Sequence, residues 1–191
     1  MKIILASGSP YRKRLLKRLN LTFACISPDI DETPRPGETP SQLAGRLSEE
    51  KAQAVARDNP DSLIIASDQV AVLGQTILGK PGTEESAFRQ LKESSERTVE
   101  FLTSITIIIP SQNKPKTCVV PYKVKFRSLS DSEITRYIQA DNPLDCAGSF
   151  KWEQLGISLF EEMEGSDPTA LEGLPLITLC KLLRQRGINL P

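Results

Sequence analysis

Lys2-Ile3-Ile4-Leu5-Ala6-Ser7-Gly8-Ser9-Pro10-Tyr11-Arg12-Lys13-Arg14 opens the chain and decides how the rest is read. Residues 2–6 form an apolar run that predicts a strand. Small residues follow, and a helix is predicted over 10–19. Ser9 is a good N-cap, and Pro10 suits the first helical position, where its missing N–H costs nothing. Tyr11, Leu15, Leu16 and Leu19 share one face of that helix, away from the basic residues. The free amides of the first turn, with Arg12 and Lys13 beside them, make a place for an anion. A strand, a small-residue turn and a basic helix start together point to phosphate.

The alternation continues outward from this unit. A second strand is predicted over 22–27, then a loop through Asp29-Ile30-Asp31-Glu32-Thr33-Pro34-Arg35-Pro36-Gly37. Thr39-Pro40-Ser41-Gln42 reads as a capping box that opens a helix to about Arg57. Residues 62–73 predict a long apolar strand carrying Asp68-Gln69, and Gly74-Gln75 a hairpin turn. A third helix is expected over 84–93. Two strands near 98–109 and 117–127 are joined by the polar turn Pro110 to Lys116. Ser130-Asp131-Ser132-Glu133 is a second capping box, with a helix to about Gln139. A loop from Pro143 to Lys151, a strand near 157–161 and a helix about 174–186 complete the chain. Helices interleaved with strands and hairpins predict an α/β fold on a mixed sheet.

Composition narrows the chemistry. At 191 residues the chain fits one domain, 1–191, or two lobes sharing a sheet, with a real core. Twenty-four basic and 24 acidic side chains cancel, so no global field recruits nucleic acid or a membrane. No histidine occurs, which excludes histidine triads, histidine bases and histidine metal sites. Cys25, Cys118, Cys146 and Cys180 lack zinc-ligand spacing, and three sit in apolar contexts that predict buried thiols. The chain begins directly in an apolar strand, without a signal peptide, which points to the cytoplasm. Neither G-x-x-x-x-G-K-[ST] nor G-x-G-x-x-G is present, so the familiar nucleotide loops do not apply.

Several residues stand out singly. Asp68 interrupts an apolar strand, where an unpaired carboxylate is costly. It reads either as a structural aspartate at a strand bend or as a group facing a metal, a cation or water. Lys51 continues the stripe of Leu43 and Leu47 along one helix face. Alone it reads as a lysine snorkelling to solvent, with a lysine aimed into a cleft as the other reading. Lys80 lies in Leu78-Gly79-Lys80-Pro81, where Gly79 permits close backbone approach. Asp31-Glu32 is either a solvated acidic loop or a pair able to ligate a hard cation. Glu153 follows the single tryptophan, Trp152, and could read a base edge.

Taken in order, Leu5 to Lys13, Asp31-Glu32, Glu50-Lys51-Ala52, Ser67-Asp68-Gln69, Gly79-Lys80-Pro81, Asp145 to Ser149 and Gly173-Leu174-Pro175 resemble the Maf family of nucleoside triphosphate pyrophosphatases. The resemblance runs from one end of the chain to the other. It implies an elongated mixed sheet with flanking helices, two lobes around a central cleft in a Maf/ITPase-like fold, and a homodimer. It also implies hydrolysis between the α- and β-phosphates of a nucleoside triphosphate with a divalent metal, magnesium or manganese. The family's general base falls on Asp68. Its phosphate-binding positions fall on Ser7, Arg12, Lys51 and Lys80, and its metal positions on Glu32 and Asp68. Phosphoryl transfer asks for charge neutralisation and an aligned nucleophile, and none of this needs histidine.

Three positions divide the family. Members that act on dTTP and UTP carry arginine, threonine and glutamine where this chain has Tyr11, Gln69 and Glu153. The pattern here resembles the subfamily acting on 7-methyl-GTP. N7-methylguanine is cationic, so an aromatic ring in place of arginine removes a repulsion and can stack on the base. A carboxylate can accept from guanine's N1–H and N2–H donors. A broader house-cleaning pyrophosphatase, or a non-catalytic nucleotide-binding regulator of septum formation, is the alternative. The chain departs from the family at Ser95-Glu96-Arg97 and Thr103-Ser104, where glycine often stands second.

Overall fold

A computed structural model describes residues 1–110, 114–188 and 190. In chain order its elements are β1 (Lys2–Leu5), α1 (Pro10–Lys17), β2 (Ala24–Cys25), α2 (Pro40–Asp58), β3 (Ser62–Leu73), β4 (Thr76–Leu78), α3 (Glu84–Ser94), β5 (Thr98–Ile108), β6 (Lys116–Phe126), α4 (Asp131–Asp141), β7 (Phe160–Gly165) and α5 (Leu176–Arg184). The expected turn from Pro110 to Lys116 falls partly on 111–113, outside the described residues.

The starts of the helices follow from their caps. Ser9 Oγ accepts from the Arg12 N–H with Pro10 at the first helical position. Both capping boxes form. In the first, Thr39 Oγ1 accepts from Gln42 N–H, and Gln42 Oε1 accepts from Thr39 N–H at 2.9 Å. In the second, Ser130 and Glu133 exchange the same pair of bonds. Gly74 takes φ +64 in the turn between β3 and β4, which pair antiparallel as the sequence predicts.

Seven strands make one mixed sheet in the order β2-β1-β3-β5-β6-β7, with β4 on β3. Strand β1 lies parallel to β2 and β3, and β6 antiparallel to β7. The chain divides into two compact units. The first holds Met1–Gln69, Thr103–Val120 and Asp167–Pro191, and the second Val70–Leu102 and Pro121–Ser166.

In the first unit the sheet is buried on both faces, as parallel strands require. Ile3, Leu5, Leu63, Ile65, Ile105 and Ile107 pack with Leu15 and Leu16 of α1 and with the leucines of α5. Ile4, Ile64 and Ala66 point the other way, to Ala52 and Val55 of α2. Each fully buried Leu or Ile contributes about 1.5–3 kcal/mol. The second unit is centred on aromatics. Phe101, Phe126, Phe150 and Phe160 meet edge to face, with ring centroids 4.8 to 5.7 Å apart.

Four expectations need correction. Strand β2 keeps only two residues, both exposed, of the six predicted. The strand expected at 157–161 starts at Phe160, because Leu155–Leu159 is a 3₁₀ turn. Strand β7 ends the sheet and is largely exposed, so its glutamates between Phe160 and Met163 hide the strand signal. The last helix begins at Leu176, after a separate 3₁₀ turn over Pro168–Glu172 closed by Gly173 at φ +91. None of the cysteines is fully buried. Cys25 is exposed, and Cys118, Cys146 and Cys180 are half-buried.

Candidate active site

Strand β3 sorts the site by its two-residue period. Asp68 shares the face of Ile64 and Ala66, so it points toward α2. Ser67 and Gln69 share the opposite face, toward the turn that precedes α5. One strand thus presents a carboxylate on one side and two polar anchors on the other.

On the α2 side, Lys51 does not snorkel. Its side chain is 8% exposed, and Nζ donates to Asp68 Oδ1 at 2.6 Å. The same ammonium lies 2.7 Å from Glu32 Oε1. Two carboxylates therefore converge on one cation. Asp68 is further held through its backbone, because its N–H donates to Ser104 Oγ and Ser104 Oγ bonds the Ala44 carbonyl of α2 at 2.6 Å. A glycine at position 104 would have no hydroxyl to make this bridge. Ser104 sits within β5 and not in a turn.

Glu32 comes from a loop, and the loop is clamped. Arg46 on α2 grips Glu38 at 2.6 and 2.9 Å, Glu50 at 3.0 Å and the Thr33 carbonyl at 3.1 Å. Arg35 adds a bond to Glu50 at 2.8 Å. The Arg46 guanidinium holds the Glu38 carboxyl down at about 2, far below its usual range.

On the other side, Arg12 is half-buried. Its Nε donates to the Gly173 carbonyl at 2.9 Å, and Nη1 to Ser7 Oγ at 3.4 Å. Burial lowers the Arg12 pKa, and the charges of Asp68 and Glu32 push it back up. An arginine stays cationic under such an influence. Ser7 Oγ also accepts from Ser9 N–H at 3.1 Å. With both lone pairs engaged, the Ser7 hydroxyl keeps its proton to donate. Gly8 fits here because a side chain would come within 2.9 Å of Ser27 Oγ.

Gln69 Nε2 donates toward Thr103 Oγ1 (3.0 Å), the Ala170 carbonyl (2.7 Å) and the Leu171 carbonyl (3.2 Å). Two backbone carbonyls accept and cannot donate, so the amide orientation is fixed by chemistry. Tyr11 lies at the start of α1, half-buried, with the Arg14 guanidinium 5.4 Å from its ring centroid. Arg14 in turn pairs with Glu172 at 3.1 Å.

Seven of the nine predicted site residues, Ser7, Tyr11, Arg12, Glu32, Lys51, Asp68 and Gln69, belong to the first unit. Lys80 and Glu153 belong to the second. Lys80 is exposed on the loop between β4 and α3, and Glu153 is half-buried in the turn after Trp152. Sequence reading missed Arg46, Ser67, Thr103 and Ser104. The signals were there: Arg46 and Glu50 at i,i+4 on a helix, and hydroxyls recurring in otherwise apolar strands.

The chain matches the family described as Maf-like protein over residues 2–186. It is 51% identical over 189 residues to the 7-methyl-GTP pyrophosphatase of Pseudomonas aeruginosa, covering 99% of this chain and 98% of that one. The relative of the same name from Pseudomonas syringae pv. tomato is 52% identical over 189 residues, with the same coverage. The one from Nitrosococcus oceani is 51% identical over 185 residues, covering 97% and 93%. Among solved structures, the Staphylococcus aureus Ham1 protein is similar at TM-score 0.54 and 17% identity, over 97% of this chain and 100% of that one. That likeness bears on the fold alone. With its ordered motifs and a match from residue 2 to 186, the chain belongs to the Maf family.

Proposed function

We propose that this chain hydrolyses the α–β phosphoanhydride of 7-methyl-GTP, releasing 7-methyl-GMP and pyrophosphate and so removing a modified nucleotide. Relatives at about 51% identity over nearly their whole length carry the name 7-methyl-GTP pyrophosphatase. The observation that carries the reading is the convergence of Asp68 and Glu32 on one cation, in the same unit as the Ser7–Arg12 pair.

Charge bookkeeping supports it. Arg12 and Lys51 are balanced by Asp68 and Glu32, so this cluster alone cannot neutralise a triphosphate. A divalent cation held there would supply the missing charge. The donor set suits magnesium or manganese, which take one or two carboxylates and complete their shell with water and substrate phosphate. Asp68 and Glu32 would hold the metal, which when bound stabilises charge on the phosphate oxygens and acidifies a coordinated water.

The chain's own groups do the remaining work. Ser7 donates its hydroxyl proton, and Arg12 its Nη hydrogens, to phosphate oxygens. Lys51 adds positive charge beside the phosphates, and the family resemblance gives Lys80 the same role. Asp68 takes a proton from the attacking water or orients it, as a desolvated carboxylate can.

For the base, Gln69 presents Oε1, since its amide hydrogens are engaged by Thr103 and the backbone. An acceptor there suits the N–H donors of guanine. Tyr11 brings an aromatic ring, in place of the arginine of the dTTP/UTP pattern, to a cationic base. The family resemblance assigns Glu153 as a second acceptor with a compensating charge. The homodimer and the cytoplasmic setting belong to this proposal through the family resemblance. No helix among the described residues is long and apolar enough to cross a membrane.

The test is the triple variant Tyr11→Arg, Gln69→Thr, Glu153→Gln, assayed against 7-methyl-GTP, dTTP and UTP. Preference should move toward the pyrimidine nucleotides. A variant that kept its full preference for 7-methyl-GTP would sink these assignments.

A further inference from the structure

The 3₁₀ turn Pro168–Glu172 and Gly173 touch an unusual number of the residues discussed above. The Gly173 carbonyl accepts from Arg12 Nε at 2.9 Å and from Ser67 Oγ at 2.7 Å. The Ala170 carbonyl accepts from Gln69 Nε2 at 2.7 Å and from Thr103 Oγ1 at 2.9 Å. Glu172 holds Arg14, the cation that lies over Tyr11. A phosphate residue is therefore fixed at one end of the turn, and base-reading residues at its other positions.

The turn is itself locked from beneath. Asp167 is 1% exposed, and no chemistry is assigned to it. Its Oδ1 accepts from Thr169 Oγ1 at 2.7 Å, and its Oδ2 from the Thr178 N–H of α5 at 3.0 Å. Thr169 Oγ1 also accepts from Leu176 N–H at 2.8 Å. Buried and bonded on both oxygens, this carboxylate ties the turn to the helix that follows.

Resting on the function proposed above, we infer that this turn is the positioning element of the site, and that it sets phosphate affinity and base discrimination through separate carbonyls. Gly173 acts on the phosphate arm. By taking Arg12 Nε, while Ser7 Oγ takes one Nη1 hydrogen, it leaves Nη2 and the second Nη1 hydrogen for substrate, a division of labour that a lysine cannot reproduce. Its φ of +91 favours glycine, and a Cβ there would come within 3.3 Å of Arg12 Nε. Thr103 acts on the base arm. Its hydroxyl accepts from Gln69 and donates to Ala170, so it keeps the Gln69 amide hydrogens inward and Oε1 outward. Both are positioning residues that work through a neighbour.

Two readouts separate the arms: pyrophosphate affinity by calorimetry, and the ratio of kcat/KM for 7-methyl-GTP over UTP. Gly173→Ala should weaken pyrophosphate binding about tenfold and leave the ratio within about twofold, the scale of one lost charged hydrogen bond. Arg12→Lys should do the same, and it reads this arm should Gly173→Ala fail to fold. Thr103→Val should cut the ratio about fivefold with pyrophosphate affinity kept, and Thr103→Ser should restore it. Parallel loss of both quantities in every variant, or failure of serine to rescue, overturns the inference while an active wild type leaves the proposed function standing. A wild type that neither binds pyrophosphate nor releases it overturns both.

Discussion

Lys51 and Asp68 are joined through a 2.6 Å bond between Nζ and Oδ1, with both side chains buried on different elements. Asp68 depends on this contact more than Lys51 does, because Lys51 keeps Glu32 as a second partner. Lys51→Met should therefore destabilise the fold by about 3 kcal/mol by stranding a buried carboxylate. Asp68→Asn should cost about 1 kcal/mol, since an amide oxygen still accepts from the ammonium. Urea denaturation of the two variants measures the asymmetry.

The same ammonium bonds both carboxylates that are proposed to hold the metal. Lys51→Met should tighten manganese binding in the absence of nucleotide, about tenfold, the value of removing one competing charge interaction. Its pyrophosphate affinity should fall. Titration followed by manganese electron paramagnetic resonance reads the first, and calorimetry the second.

Acid should lower the stability of the fold along a defined window. Arg46 holds Glu38 at about 2, and the Ser130 backbone N–H and hydroxyl, with Arg127, hold Glu133 at about 2, against an ordinary value near 4.5. Both pKa values are depressed on folding, so their contribution is complete above about 4.5 and is lost as pH falls toward 2. Glu38→Gln should flatten the slope of unfolding free energy against pH in that window. An unchanged slope would remove Glu38 from the account.

Glu96 stands where the family often has glycine, and it takes φ +61. A left-handed non-glycine residue costs about 1–2 kcal/mol, of which glycine's greater chain entropy returns about half. Glu96→Gly should raise stability by about 0.5 kcal/mol, visible as a higher Tm. The Ser104 departure behaves oppositely. Its buried hydroxyl bridges Asp68 to Ala44, so Ser104→Gly should destabilise.

Much of this was legible in the sequence where local chemistry decides. The Thr39 and Ser130 capping boxes, the Gly74 hairpin and the long run of β3 each follow from residues close in the chain. Asp68 announced itself as a carboxylate within an apolar strand. What local pattern could not give was pairing across the fold. Lys51 alone reads as a snorkelling lysine, and only the packing of α2 against β3 shows its two carboxylate partners. Strand β7 was misplaced because an exposed edge strand needs no apolar face. The turn at Pro168–Glu172 carries no sequence expectation because its work is done by carbonyls, which every residue has.

The most direct measurement is pyrophosphate release from 7-methyl-GTP, GTP, dTTP and UTP with magnesium or manganese, for the wild type beside Asp68→Asn. The account predicts a strong preference for 7-methyl-GTP, lowered at least about a hundredfold by the substitution, as loss of a general base requires. Equal turnover of all four nucleotides, or an Asp68→Asn variant as active as the wild type, would contradict it.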